Sequence, residues 1–247
     1  MNNHLSLRSG NPALHAESFR KHLASVKEET MSINGTVHKT GLSLFLLMLS
    51  ATYTWANPDL TSIVLIPALI FGLVLAFITI FKPVYGYITV PLYSISQGLM
   101  LGGISWVFEA KYPGIVVQAV FLTFGTLASL LLAYLSGLIK ATENFKLGVI
   151  AATGGIAVVY LINMVMSFFG SGISIIHNNS LMSIAFSGFV VIIAALNLVL
   201  DFDFIEEGSE IGAPKYMEWY GAFGLMVTLI WLYLEILRLL AKMSNRR

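Results

Sequence analysis

Cysteine is absent from the 247-residue sequence, and charged residues are scarce. The absence of cysteine excludes disulfide bonds, thiolate catalysis and cysteine-ligated zinc or iron–sulfur sites. Charged residues make up 11% of the chain, against about 25% in a soluble globular domain. The formal net charge is +1, which leaves no electrostatic footprint for nucleic acid. We therefore expect neither a soluble fold nor a nucleic-acid partner.

Apolar residues reach 57% of the chain and are gathered in long runs. Crossing a bilayer core of about 30 Å takes about 20 helical residues. An open strand would leave backbone polar groups unpaired in lipid, so each run is predicted to be a helix. The sequence thus predicts an all-α polytopic membrane protein, a bundle of seven transmembrane helices. The runs are approximately Gly41–Ala56, Thr61–Phe81, Tyr85–Phe108, Gly114–Ile139, Leu147–Phe169, Leu181–Phe204 and Tyr220–Leu240.

The first 39 residues form a polar tail, and residues 40–247 form the transmembrane domain. Within the tail, Phe19, Leu23 and Val26 recur at helical spacing beside basic residues. That pattern fits a short helix on the membrane surface, and a mobile solvated tail fits it equally well. Because the tail is polar, we expect no cleavable signal peptide, so the first span would direct insertion.

The distribution of lysine and arginine predicts a cytoplasmic N-terminus. In that orientation the outside loops carry Lys111, whereas the inside segments carry six lysines. The C-terminal residues Lys242, Arg246 and Arg247 disagree, because seven spans would place them outside. Six full spans with a re-entrant last segment therefore remain an alternative. The six inside lysines are Lys27, Lys39, Lys82, Lys140, Lys146 and Lys215.

Three acidic residues fall within the apolar runs, where an ionised group costs about 2.5–3.5 kcal/mol. Asp201 and Asp203 point about 200° apart on a helix, so one of them at most faces the bundle interior. Asn197 lies one turn before Asp201 on the same face, which favours Asp201 as the inward residue. Asp203 is expected to reach the headgroup region.

Glu235 lies deep in the seventh run, and two interpretations of it stay open. Arg238 is three residues further along the same helix face and could form an internal ion pair with it. Alternatively, Glu235 is a proton-sensitive carboxylate that meets an acidic residue of the sixth helix. Gln97 and Asn197 are expected to make hydrogen bonds between helices.

Several segments resemble the Bax inhibitor-1 family, in particular its bacterial branch. The resemblance begins at about residue 34 and continues to the end of the chain. It rests on LVLDFDFIEEG from Leu198 to Gly208 and on LYLEILRLL from Leu232 to Leu240. Further matching segments are NGTVHKTG at 34–41, FKP at 81–83, Gln97-Gly98 and APKYMEWY at 213–220.

The resemblance implies a seven-helix fold with the last helix central. It also implies a proton-sharing acidic pair linked to calcium leak, which falls by position on Asp201 and Glu235. These two would then also be the candidate Ca²⁺ ligands. Two carboxylates held close together cannot both ionise cheaply, so such a pair shares a proton. The sequence departs from the family in having Glu at 235 rather than Asp, and Gln97 where many relatives carry Glu.

Two functions are consistent with these features. The first is a pH-sensitive, calcium-permeable leak channel or transporter in the bilayer of a bacterial inner or plasma membrane. The second is a non-conducting regulator that binds a membrane protease or other membrane proteins. An enzyme is not expected, because no HExxH, GxSxG or Walker motif occurs. No cofactor is expected beyond Ca²⁺ as a permeant or bound ion.

Overall fold

Seven α-helices make up most of the computed structural model, which describes residues 30–170, 173, 178 and 180–246. The predicted all-α class is confirmed. The segment containing Phe19, Leu23 and Val26 lies outside the described residues. Two short 3₁₀ turns, Pro58–Leu60 and Pro83–Tyr85, precede the second and third helices. The helices are α1 (Ile33–Ala56), α2 (Thr61–Phe81), α3 (Gly86–Lys111), α4 (Ile115–Leu135), α5 (Glu143–Phe168), α6 (Leu181–Glu210) and α7 (Met217–Ser244).

Two helices extend well beyond the apolar runs that predicted them. Helix α1 begins at Ile33 rather than near Gly41, because the Ser32 hydroxyl caps it by accepting a hydrogen bond from Gly35 N at 3.0 Å. Helix α6 continues to Glu210 rather than ending near Phe204. Its last two turns are acidic and bind polar groups of neighbouring helices, so apolar periodicity alone did not predict them.

Five of the described helices are long and apolar enough to cross a membrane. They are α2 with its preceding 3₁₀ turn, α4, α5, α6 and α7. Helices α1 and α3 have 24 and 26 residues but carry more hydroxyl side chains than these five helices do. Many of these hydroxyls are paired within their own helix: Ser50 donates to Leu46 O at 2.9 Å and Ser94 to Val90 O at 2.9 Å. The chain is therefore a multi-pass integral membrane protein.

Helix α7 is the centre of the bundle, as the family resemblance implied. It packs against α1, α3, α4 and α6, and Met226, Leu232 and Leu237 on it are fully buried. Helix α5 lies at the periphery, where α6 is its main helical neighbour. Most side chains at the middle of α7 are therefore surrounded by protein rather than by lipid.

Consecutive helices run in opposite directions through the bundle. Ser32 at the start of α1 contacts Glu218 at the start of α7, so both helices begin at the same end. At that end Lys146 at the start of α5 also pairs with Asp203 near the end of α6. Helix α7 has 28 residues and is about 42 Å long, enough to reach the opposite end. This geometry favours seven full spans over a re-entrant last segment.

Glycines on α3 allow it to approach the backbone of α1. A Cβ atom at Gly98 would collide with the carbonyl oxygen of Leu47, and one at Gly102 would collide with the carbonyl oxygen of Ala51. Such close approach gives membrane helices packing energy where no water-driven effect operates between them.

Candidate functional site

Asp201 lies on α6 and faces the central helix α7. Its Oδ1 atom is close to Gly224, where an added Cβ would lie 3.6 Å from it. The hydroxyl of Thr228, one turn further along α7, lies beside this carboxyl group. Its Oδ2 atom is buried and has no hydrogen-bond partner. The inward orientation predicted for Asp201 is therefore observed, and one carboxyl oxygen is left unsatisfied between the two helices.

Glu235 lies within a polar cluster about two turns further along α7, where it is 1% exposed. Arg238 Nη1 donates to both of its carboxylate oxygens, at 2.8 and 3.0 Å. The Tyr160 hydroxyl of α5 donates to Glu235 Oε1 at 2.9 Å and accepts from Arg238 Nη1 at 3.0 Å. The guanidinium carbon of Arg238 also lies 5.5 Å from the centre of the Tyr160 ring. The ion pair considered from the sequence is the arrangement observed, and it joins α5 to α7.

The structure does not bring Asp201 and Glu235 together as a pair. Asp201 lies beside Gly224 and Thr228, and Glu235 follows Thr228 by seven residues, which is about 10 Å along the helix axis. Direct proton sharing requires two carboxylates within about 6 Å of each other. Each carboxylate instead has its own surroundings on α7: Asp201 lies beside Thr228, whereas Glu235 is bound by Arg238.

Asn197 bonds between helices, as expected, but not toward Asp201. Its Nδ2 atom donates to Thr153 Oγ1 of α5 at 2.8 Å and to Ile193 O of its own helix at 2.8 Å. Asn197 therefore fastens α6 to α5, while Asp201, one turn later, faces α7. The two residues occupy one polar stripe of α6 but serve different interfaces.

Asp203 and Gln97 support the bundle at two other places. Asp203 forms an ion pair with Lys146 at 2.5 Å, close to the end of the bundle, and its position in the headgroup region stays a prediction. Gln97 is buried on α3, and its Nε2 atom occupies the space where a Cβ at Gly72 of α2 would be. These side chains join α5 to α6 and α2 to α3, respectively.

Among the described residues, no group of three or more His, Asp or Glu side chains is close enough to hold a metal ion. Asp201 could contribute one unsatisfied oxygen to a passing cation. Glu235 could do so after its ion pair with Arg238 opens. Carboxylate oxygens are the ligands that Ca²⁺ prefers. The arrangement therefore suits transient contact with a cation at two levels of α7.

A buried carboxylate at the N-terminal end of α7 makes contacts that were not predicted from the sequence. Glu218 is 1% exposed, and its Oε1 accepts hydrogen bonds from Ser32 N and Ser32 Oγ, both at 2.9 Å. Its Oε2 pairs with Lys39. Gly35 lies against the same carboxylate, where a side chain would collide with it. Two of the family-like segments, 34–41 and 213–220, therefore meet at this point.

Two further residues of the site, Thr228 and Tyr160, gave no sequence signal. A single hydroxyl within an apolar helix is common and carries no information about its partner. Their roles depend on which helices become neighbours, and periodicity does not specify that.

A family model described as Bax inhibitor 1 like matches residues 11–245 of the chain. No curated protein matched the chain, and no solved structure did.

Proposed function

The chain belongs to the Bax inhibitor 1 like family, and on that premise we propose that it is a pH-sensitive, calcium-permeable leak channel or transporter. The resemblance on which calcium leak rests concerns acidic residues on the sixth and seventh helices. In this chain the corresponding positions are Asp201 and Glu235. The proposal differs from the family expectation in one respect, because the two carboxylates act separately rather than as one pair.

The observation that carries the proposal is the unsatisfied Oδ2 atom of Asp201 between α6 and α7. A neutral carboxyl group can remain there at modest cost, whereas a carboxylate has to gain water, a donor or a cation. Loss of the proton therefore favours a looser packing of α6 against α7. Such a change would admit water and expose carboxylate oxygens to a permeant cation.

Glu235 is proposed to hold α5 against α7 rather than to act as the proton sensor. Its charge is balanced by Arg238, and Tyr160 bridges the two. A balanced ion pair responds less to a modest change of pH than an isolated carboxyl group does. Opening of this cluster would release α5 from α7 and provide a second carboxylate along the path.

The proposed orientation places the start of α1 on the cytoplasmic side of a bacterial inner or plasma membrane. More of the basic residues lie at that end of the bundle than at the other, which follows the positive-inside pattern. Lys111, Lys242 and Arg246 lie at the opposite end. The basic residues at the proposed cytoplasmic end are Lys39, Lys82, Lys140, Lys146 and Lys215.

Calcium flux from liposomes that contain the full chain tests the proposal. A calcium-sensitive dye would report efflux from acidic to mildly alkaline pH for the wild type, Asp201→Asn and Glu235→Gln. We expect pH-dependent efflux from the wild type and loss of that pH dependence in Asp201→Asn. Asp59→Asn is the matched control, because Asp59 is exposed in the turn between α1 and α2, and it should behave like the wild type.

Two results would count against this function. Efflux equal to that of empty vesicles at every pH would reject conduction and favour a regulator of a membrane protease or another membrane protein. If the pH dependence of efflux disappears in Glu235→Gln but persists in Asp201→Asn, the protein still conducts calcium. The proton sensor would then be the cluster of Glu235 and Arg238 rather than Asp201.

A further inference from the structure

A cavity of about 660 Å³ opens at the end of the bundle where α3 and α7 finish. Its volume lies within the range of about 300–1,000 Å³ that is usual for small-ligand sites. Helices α3, α5 and α7 form its walls. The polar residues that line it include Lys111, Tyr112, Tyr160, Arg238, Lys242 and Asn245.

The charge of this cavity is strongly positive. Lys111, Arg238 and Lys242 contribute three cationic groups, and Glu235 beside Arg238 contributes one negative charge. In the described part of the chain, neither Lys111 nor Lys242 has an acidic partner within ion-pair distance. Two positive charges therefore remain without a counter-charge around one cavity.

Lys242 is the least expected of these cations, because it is 6% exposed. Its Nζ atom lies 2.8 Å from Ser187 Oγ and 3.4 Å from Ser183 O, and both partners are neutral. Taking an ammonium group out of water is unfavourable unless a counter-charge or strong hydrogen bonds offset the lost hydration. A buried lysine with neutral partners at the wall of an open cavity is a group that an anion would stabilise.

Arg238 can serve this site while it holds Glu235. Its hydrogen bonds within the described residues all come from Nη1, to Glu235 and to Tyr160. The remaining N–H groups of a guanidinium can bind a phosphate oxygen, and a lysine ammonium is a suitable point charge beside it.

We propose that this cavity binds a phosphate-bearing anion, held by Lys111, Arg238 and Lys242. Two sources share that chemistry: the headgroup of an anionic phospholipid at this membrane face, and soluble phosphate. The site is separate from Asp201 and does not depend on whether the protein conducts calcium. Binding would fasten the ends of α3 and α7, because each provides one of the lysines.

Calorimetric titration of the full chain in neutral detergent tests the proposal in two arms. One arm uses inorganic phosphate as the probe, and the other uses dispersed phosphatidylglycerol. The variants are Lys111→Gln and Lys242→Gln. The control is Lys140→Gln, which removes an exposed lysine at the opposite end of the bundle.

We expect saturable binding in at least one arm and about tenfold weaker binding in each cavity variant, as the loss of one charge-assisted contact predicts. Binding in the phosphatidylglycerol arm alone identifies a lipid site, and binding of inorganic phosphate identifies a soluble anion. No binding in either arm overturns the proposal, and so does binding that Lys140→Gln weakens as much as the cavity variants do. If Lys242→Gln fails to fold, the binding measured for Lys111→Gln, a substitution at an exposed lysine, decides the outcome.

Discussion

Arg238 and Glu235 bind each other within one turn of the central helix, with Arg238 Nη1 at 2.8 and 3.0 Å from the two carboxylate oxygens. The glutamate is nearly inaccessible, whereas the arginine side chain is 38% exposed toward the cavity at the end of α7. The pair therefore places a buried negative charge next to an arginine that lines a basic cavity. Tyr160 connects it to the peripheral helix α5.

Arg238→Gln should destabilise the protein, because it leaves the Glu235 carboxylate buried without its counter-charge. Removal of one partner of a buried ion pair costs about 3 kcal/mol. The double variant Arg238→Gln with Glu235→Gln should recover part of this loss, since both charges are then gone. Thermal unfolding of the purified chain in detergent measures the effect. Equal stabilities of the single and double variants would contradict the coupling of the two charges.

Tyr160→Phe should loosen α5 with little effect on the ion pair itself. The substitution removes the hydroxyl that donates to Glu235 and accepts from Arg238, at a cost of about 1 kcal/mol. Because α5 has few helical neighbours, we expect the substitution to increase the rate of amide exchange in α5 more than in α7. Tyr53→Phe removes an exposed hydroxyl and is the control. Unchanged exchange in α5 would show that Tyr160 does not fasten this helix.

Gly102→Ala should disrupt the contact between α3 and α1. The new Cβ would collide with the carbonyl oxygen of Ala51, which is backbone and cannot rotate away. Overpacking of this kind costs about 1–3 kcal/mol. Gly125→Ala is the matched control, because an added Cβ on α4 meets no atom within 4 Å. Thermal unfolding should show a lower midpoint for Gly102→Ala alone, and equal midpoints would argue against close helix packing there.

Glu218→Gln should weaken the attachment of the start of α1 to α7. Glutamine retains an acceptor for Ser32 but loses the charge that pairs with Lys39. It also loses a negative charge placed at the N-terminus of α1, where the helix dipole favours one. We expect faster amide exchange at residues 33–40, compared with the exposed control Glu210→Gln. Identical exchange in the two variants would mean that the charge of Glu218 is unimportant for this contact.

The apolar runs predicted the helices well because a lipid-exposed backbone has few alternatives to helix. Helix α2 begins at Thr61 and ends at Phe81, as its run predicts. The less apolar ends, such as the start of α1, depended on the Ser32 cap and on Glu218 from the other end of the chain. A contact over that separation leaves no periodic signal in either segment.

The sequence by itself determined the membrane class, the seven helices, and the inward position of Asp201, since these follow from local hydropathy and from helical spacing. Tertiary structure alone decided the partners of the buried charges. Asp201 lies beside Thr228, Glu235 is held by Arg238 and Tyr160, and Lys242 lines an open cavity. The physical reason is that a buried charge is governed by the few groups within hydrogen-bonding distance, and most of these come from other helices.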